Sequence, residues 1–542
     1  MSISRNGKRW VVIGVLALII GFSIFVRLRL ADLPLERDEG EYAYAGQLML
    51  QGIPPYKLAY NMKLPGTYAA YAVIMAFFGQ TTRGIHAGLI IVNTATILLI
   101  YFLGRRLFGR TCGLVAAASF ALLSLSDSVL GLSAHATHFV TLFGIAGSLA
   151  LVEALSREDR RLLFVSGLLF GLSVLMKQHA VFFVFFAGAM LLIDSWQQRQ
   201  LRLGRIIKTE GILIAGAALP FILTCCWLEV AGVFPNFWFW TITYASRYAS
   251  SLSLAEGFGG LAWQGARILQ SAPILWVTFF VTLVCFAIAK RGHRSAIFLY
   301  ALLLAAFASV CPGFYFRRHY FIPLLPAVGL VIGAGFQVMV DSEHGLLARR
   351  WLRISAYALL FLAFAQLIYK HSALFFRLTP ETATRFLYGP NPFPEAIKIA
   401  EYIRQHSKPE DRVAVLGSEP EIYFYSHRHS ATGYIYTYPL MEPQPYAVAM
   451  QKKMIADIEA ARPEIVVLVQ IPTSWGQRKE SPTEIFDWEK KYFARELDPV
   501  GLIEMESAEK TVYQWQSNKR DFKAPDTELM VVVLKRKVQN HD

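Results

Sequence analysis

The sequence predicts a polytopic α-helical membrane protein of about eleven spans with a C-terminal α/β domain on the outer side. Three observations carry this. Of the 542 residues, 55% are hydrophobic and 17% charged, whereas a soluble domain carries about a quarter charged residues. The apolar residues are segregated: long apolar runs fill most of 10–370, and mixed sequence fills 371–542. The cations alternate from one connection to the next.

Spans are expected near 10–31, 84–104, 111–130, 135–155, 162–176, 179–196, 206–230, 272–290, 295–314, 319–340 and 352–370. A span needs about 20 apolar residues, so 162–176 is short and reads as broken or tilted. No small-residue cleavage site follows the first run, which therefore reads as a retained span. The stretch "TYAAYAVIMAFFG" (67–79) is shorter still and reads as a helix at the interface. Residues 1–370 thus form the membrane domain, with a first outer loop at 32–83.

In 371–542, "PEAIKIAEYIRQH" and "YAVAMQKKMIADIEAARP" read as helices, and "RVAVLGS", "EIVVLVQIP" and "ELMVVVLKRK" as strands. This predicts a small α/β accessory domain that shapes access to the outer face of the membrane domain or contacts partners. Gly417 follows a strand, but no GxGxxG or P-loop is present, so nucleotide binding is unsupported.

One set of alternate connections holds Arg5, Lys8, Arg9, Arg105, Arg106, Arg110, Arg157, Arg160 and Arg161, then Arg199, Arg202, Arg205, Lys208, Lys290, Arg291, Arg294, Arg349, Arg350 and Arg353. These nineteen cations mark the cytoplasmic side. The first loop and the C-terminal domain are then outside, and the net charge of +14 does not point to nucleic acid. The five cysteines (112, 225, 226, 285, 311) lie in or beside apolar runs and form no disulfide framework or zinc spacing.

Against this pattern, Lys57, Lys63, Lys177, Arg247, Arg317 and Arg318 fall on the outer side. Headgroup contact or snorkelling explains such cations; so does convergence on an anionic ligand. The same side holds "LPLERDEGEYAYAG" (33–46), with Glu36, Asp38, Glu39 and Glu41 in six residues. One reading is local: Asp38 as N-cap, with Glu41 completing a capping box. The other is chemical. A carboxylate can take the proton of an acceptor hydroxyl, and Lys or Arg can stabilise a leaving phosphate. In "SAHATHF", His135 and His138 are three apart and can point one way. With His179, His319 and the carboxylates they can bind a divalent cation, or serve as ordinary hydrogen-bonded histidines.

"RDEGEYAYAGQLMLQGIPPY", "MKLPGTYAAYAVIMAFFG" and "IVNTATILLIYFLGRRLFG" resemble membrane glycosyltransferases of the GT-C fold, in the bacterial branch of glycosyltransferase family 39. That branch lies near the protein O-mannosyltransferases and the lipid A aminoarabinose transferase. "GLSVLMKQHA" and "RRHYFIPLLPAVGLVIGAG" are similar to its later segments. The resemblance implies a polyprenyl-phosphate sugar donor, a lipid, glycan or protein acceptor, and work at the outer face of the bacterial inner membrane. It places the general base at Asp38, with Glu39 beside it, and a donor-phosphate lysine at Lys63. The branch's Lys-Pro-Pro is here Lys63-Leu64-Pro65. It places the later basic pair at Arg317 and Arg318; Lys177, in an outer turn of only a few residues, is expected as a further phosphate contact on its placement alone. Glu41, Tyr42, His319 and Tyr320 are expected as supporting residues. A transporter or flippase of an anionic lipid is the rival class; charges near mid-membrane and related halves would mark it.

Overall fold

A computed structural model describes residues 5–199, 202–289, 293–342, 349–507, 510–516, 522 and 527–537. Lys290 and Arg291, two of the expected inner cations, lie outside the described residues, as do the side chains of Arg5 and Lys8.

The membrane domain contains α1 (Arg5–Arg29), α2 (Arg37–Leu50), α3 (Gly66–Phe78), α4 (Thr82–Leu107), α5 (Arg110–Leu123), α6 (Ala136–Arg157), α7 (Arg160–Met176) and α8 (Val181–Gln197). It continues with α9 (Leu203–Val230), α10 (Phe234–Trp238), α11 (Ala245–Ala249), α12 (Leu254–Ser271), α13 (Pro273–Ala289), α14 (Arg294–Ala308), α15 (Leu325–Asp341) and α16 (Arg350–Lys370). Each of the eleven expected spans contains most or all of one of these helices. By length and composition, however, seven helices among the described residues can cross a membrane, or eight if α12 and α13, bent by 104°, count as one span. The expected count of eleven is therefore too high on this measure. Helices α5, α7, α13 and α14 have only 14, 17, 17 and 15 residues. Turns and the bend at Ala272 cut these apolar runs short. Helix α3, with 13 residues, is also too short to span and packs on α2 and α4.

Close helix packing rests on small residues. In "GLVIG", Gly329 and Gly333 of α15 sit one turn apart against α5. A Cβ on Gly333 would lie 2.4 Å from the Cys112 carbonyl oxygen. Such small-xxx-small spacing lets helix backbones approach where lipid removes the hydrophobic drive.

The capping of α2 differs from expectation. Its N-cap is Glu36, not Asp38, and the capping box pairs Glu36 with Glu39, not Asp38 with Glu41. The Glu39 N–H donates to Glu36 at 3.0 Å, and the Glu36 N–H donates back to Glu39 at 3.4 Å. The sequence holds two overlapping acid pairs three apart, and Glu36 is the last extended residue before the helix. Asp38 and Glu41 are thereby released from capping and share another helix face.

The C-terminal part contains α17 (Pro380–Tyr388), α18 (Phe393–His406), β1 (Arg412–Leu416), α19 (Glu421–Ser426), β2 (His429–Ser430), α20 (Tyr438–Met441), α21 (Ala447–Ala461), β3 (Ile465–Gln470), α22 (Pro472–Trp475), α23 (Glu484–Glu496), β4 (Leu497–Met505), β5 (Thr511–Trp515) and β6 (Met530–Arg536). Its sheet has the order β2-β1-β3-β6-β4-β5. Strands β2, β1 and β3 are parallel; β3, β6, β4 and β5 are antiparallel. The expected strands are β1, β3 and β6, and the expected helices are α18 and α21.

This domain grips the first loop. The Arg37 guanidinium pairs with Glu419 at 2.7 Å and donates to the Ser418 carbonyl. The Tyr60 N–H donates to the Gly433 carbonyl at 2.7 Å. Gly40 of α2 lies against α19, so a Cβ there would meet the Glu421 backbone nitrogen at 2.6 Å. Backbone cannot give way as a flexible side chain can. Gly40→Ala is predicted to destabilise the protein by about 1–3 kcal/mol, as overpacking does, and to lower its thermal midpoint in detergent. An unchanged midpoint would contradict this packing.

Candidate active site

The four acids of the first loop divide into two pairs facing different ways. Glu36 and Glu39 face the protein interior. Glu39 is fully buried, 3.0 Å from the Nε2 of His86, and accepts the Ala134 N–H at 2.6 Å. Burial raises the Glu39 carboxyl, but His86 and the Ala134 N–H outweigh it and hold the group below its usual range. Glu39 thus fixes the backbone beside His135. Burial, then Asp38 and Glu39, push the Glu36 carboxyl well above the usual carboxylate range.

Asp38 and Glu41 face Lys63. The Lys63 Nζ donates to Asp38 Oδ1 at 2.8 Å and to Glu41 Oε2 at 2.6 Å. It also lies 4.6 Å from the centre of the Tyr42 ring. Glu41 accepts the Tyr68 hydroxyl at 2.5 Å. Burial raises the Asp38 carboxyl, yet the Lys63 ammonium holds it well below the carboxylate range. Burial lowers Lys63, but Asp38 and Glu41 outweigh burial and raise it well above the lysine range. The second Asp38 oxygen, Oδ2, lies 3.8 Å from His319 Nε2.

Asp38 opens onto a cavity of about 210 Å³. Lys63, Lys177 and Arg317 give it three cations, and Tyr320, Tyr244 and Tyr248 give it aromatic walls. The Lys177 Nζ sits 3.6 Å from the Tyr320 ring centre. Burial pushes its ammonium down to about 7. Lys177 stands between α7 and α8, in "MKQHA", and Arg317 precedes the 3-10 turn Arg318–Leu324 that leads into α15.

Other expected residues fall elsewhere. Arg318 does not line the cavity; it donates to the Leu387 carbonyl at 3.1 Å. His138 is buried, and its Nε2 has no hydrogen-bond partner among the described residues. His135 stacks on His319 with ring centres 4.1 Å apart. Asp38, His135 and His319 place one ligand atom each within 4.8 Å of one another. Among the described residues, then, the group able to hold a cation joins His135 to Asp38 and His319, not to His138.

The sequence reading missed the contribution of the C-terminal domain. Tyr436, Tyr438 and Glu442 line the cavity. The Tyr436 hydroxyl donates to Asp38 Oδ1 at 3.1 Å, and the Tyr244 hydroxyl donates to Glu442. The alternating tyrosines of "YIYTYPLME" (434–442) were the available signal.

This bundle, with its acidic first loop and α/β domain, has the GT-C fold of membrane glycosyltransferases. Residues 63–227 match the model of the Dolichyl-phosphate-mannose-protein mannosyltransferase family. The structure is similar to that of ArnT from Cupriavidus metallidurans bound to undecaprenyl phosphate. The TM-score is 0.57 and the identity 16%, covering 86% of this chain and 94% of that one. It is also similar to the apo oligosaccharyltransferase of Archaeoglobus fulgidus, with TM-score 0.53 and 13% identity over 96% of this chain and 76% of that one. The arabinofuranosyltransferase AftD from Mycobacteria gives TM-score 0.51 and 15% identity over 100% of this chain and 40% of that one. No curated protein sequence matches the chain.

The cavity's charge bears on the cation group. Burial lowers His135 to about 4, and Lys177 and Lys63 act in the same direction. Asp38 is already held by the Lys63 ammonium and shares the cavity with Arg317, an arrangement that opposes a divalent ion there. Prolonged dialysis against EDTA is predicted to leave activity unchanged. A loss restored by Mn²⁺ or Zn²⁺, and abolished in His135→Ala, would assign the three residues to a metal instead.

Proposed function

We propose that the protein is a glycosyltransferase at the outer face of the bacterial inner membrane. It moves a sugar from a polyprenyl-phosphate donor to a hydroxyl of a lipid, glycan or protein acceptor, with inversion. The carrying observation is the seat of Asp38, a carboxylate held by Lys63 at the edge of a cavity that Lys177 and Arg317 also line. The family match, the fold, and the undecaprenyl phosphate of the ArnT structure support the donor class. The nineteen alternating cations support the orientation.

In the proposed step the acceptor oxygen attacks the anomeric carbon, and the bond from that carbon to the phosphate oxygen breaks. The acceptor proton passes to Asp38. The phosphate leaves as an anion stabilised by Lys63, Lys177 and Arg317, so no general acid is needed. Lys63 links the halves. As the phosphate draws its ammonium away from Asp38, the carboxylate regains basicity. Tyr436 holds Asp38 in place, and Glu39 acts indirectly by fixing the chain at Ala134. The flippase reading gains no support from this arrangement, which gathers the acids and cations of the site at one end of the bundle.

Asp38→Asn retains the shape of the carboxylate and cannot accept a proton. Because Glu36 is the cap, helix α2 keeps its capping box. The variant is predicted to fold normally, bind donor, and lose about 10²–10⁴-fold in turnover. Near-normal turnover with a radiolabelled polyprenyl-phosphate sugar would exclude Asp38 as the base.

Lys177 generates a pH dependence. The donor phosphodiester keeps one negative charge between pH 6 and 9, and Lys63 stays charged there. Bound phosphate favours protonated Lys177, whose free value is about 7. Donor binding therefore takes up a proton above pH 7, and affinity is predicted to fall by up to about tenfold per pH unit from 7 upward. Lys177→Met flattens this slope. A flat wild-type profile from pH 7 to 9 would place the phosphate away from Lys177.

A further inference from the structure

A larger cavity, about 660 Å³, lies where the C-terminal ends of α6 and α8 meet the N-terminal ends of α7 and α9. Helix α6 leads to this place from His135, which stacks on His319 of the first cavity. Its 22 residues span about 33 Å, close to the thickness of a bilayer's hydrocarbon core. The two cavities thus stand at opposite membrane faces, and this one belongs to the face marked by the cations.

Three acids line it, and each has a partner. Glu158 pairs with Arg205 at 3.3 Å, Asp194 pairs with Arg294, and Asp159 caps α7 by accepting the Arg161 N–H at 2.8 Å. Arg160, Arg199, Arg202 and Lys208 also line the cavity, with no acid partner among the described residues. The N-terminus of α9 adds to this charge. Its N-cap, Arg202, makes no side-chain capping bond, and a Cβ at Gly204 would meet nothing within 4 Å. Leu155, Leu163 and Leu191 form an apolar part of the wall, and Ser195 and Thr209 complete the lining with Ala154.

We propose that this cavity holds the phosphodiester headgroup of an anionic phospholipid from the leaflet at that face. Arg199, Arg202 and Lys208 meet the phosphate beside the open N-terminal turn of α9, where backbone N–H groups and the helix dipole favour an anion. The leucine wall receives the first methylenes of the acyl chains. A soluble phosphate ester offers the same charge but leaves that wall uncovered. Basic pockets between membrane helices at the cytoplasmic side hold lipid phosphates in this way. The inference is independent of the transferase reading.

The test uses the full chain, delipidated in detergent, with phosphatidylglycerol, phosphatidylcholine and glycerol 3-phosphate as probes. Retention is read by native mass spectrometry, and stabilisation by the thermal midpoint. Phosphatidylglycerol is expected to be retained and to raise the midpoint; the other two are not. The Arg199→Gln/Arg202→Gln/Lys208→Gln variant should lose about a hundredfold in affinity, at roughly fivefold per cation. Arg349→Gln/Arg350→Gln, at the same face but outside the cavity, should keep it. Gly204→Glu is a second probe: a carboxylate in the first turn favours α9 itself yet displaces the phosphate, so the fold persists while retention falls. An equal response to glycerol 3-phosphate at equal concentration would overturn the proposal in favour of a soluble ester. Equal losses in the triple and double variants, or no loss in the triple, would overturn it too.

Discussion

The active cavity depends on one ammonium group held by two carboxylates. Lys63 sits between Asp38 and Glu41 and opposes the rise that burial imposes on both carboxyls. Helix geometry sets up the contact, because residues three apart share a face. The capping of α2 by Glu36 and Glu39 leaves that face free. A dense acidic cluster on a greasy chain therefore combines two functions: one pair of acids builds the helix and its surroundings, and the other meets the cavity. In the proposed step the same ammonium is drawn from Asp38 by the donor phosphate.

The C-terminal domain is part of this site. Arg37, one residue from Asp38, is clamped by Glu419 and Ser418. Tyr436 reaches Asp38 itself, and Gly40 fits against Glu421 only because it lacks a side chain. Moving the domain would disturb the carboxylate through three separate contacts.

Much of this was legible in the sequence, for identifiable reasons. Apolar runs located the eleven helices, since burial in lipid demands such runs, but run length overstated how many cross unaided. Asp38, Lys63 and Arg317 were found through misplaced charge and a family resemblance. The capping residue was misread because both acid pairs satisfy the local pattern. Tertiary contacts decide between them: His86 and the Ala134 N–H take Glu39, and Lys63 takes Asp38. Arg318 was grouped with Arg317 by adjacency, yet neighbours along an extended chain point apart, and it turns to Leu387. Tyr436, Tyr438 and Glu442 lie about 400 residues from Asp38 in sequence, and no local pattern encodes that closure. Strands β4 and β5 carry mixed rather than alternating residues and gave no clear period.

The central claim is that Asp38 is the base and that Lys63 sets its charge. The most direct measurement is the pH dependence of kcat/KM for the donor in the wild type and in Lys63→Met, which reports the donor-free enzyme, where Lys63 still holds Asp38. Activity falls as pH drops through the pKa of the base. In the wild type that acid limb is predicted below the ordinary carboxylate range. In Lys63→Met, burial of Asp38 is unopposed by the ammonium, so the limb is predicted to move up in pH, along with a lower plateau. A limb that stays where it was would contradict the account, because the titrating base would then not be the carboxylate that Lys63 holds.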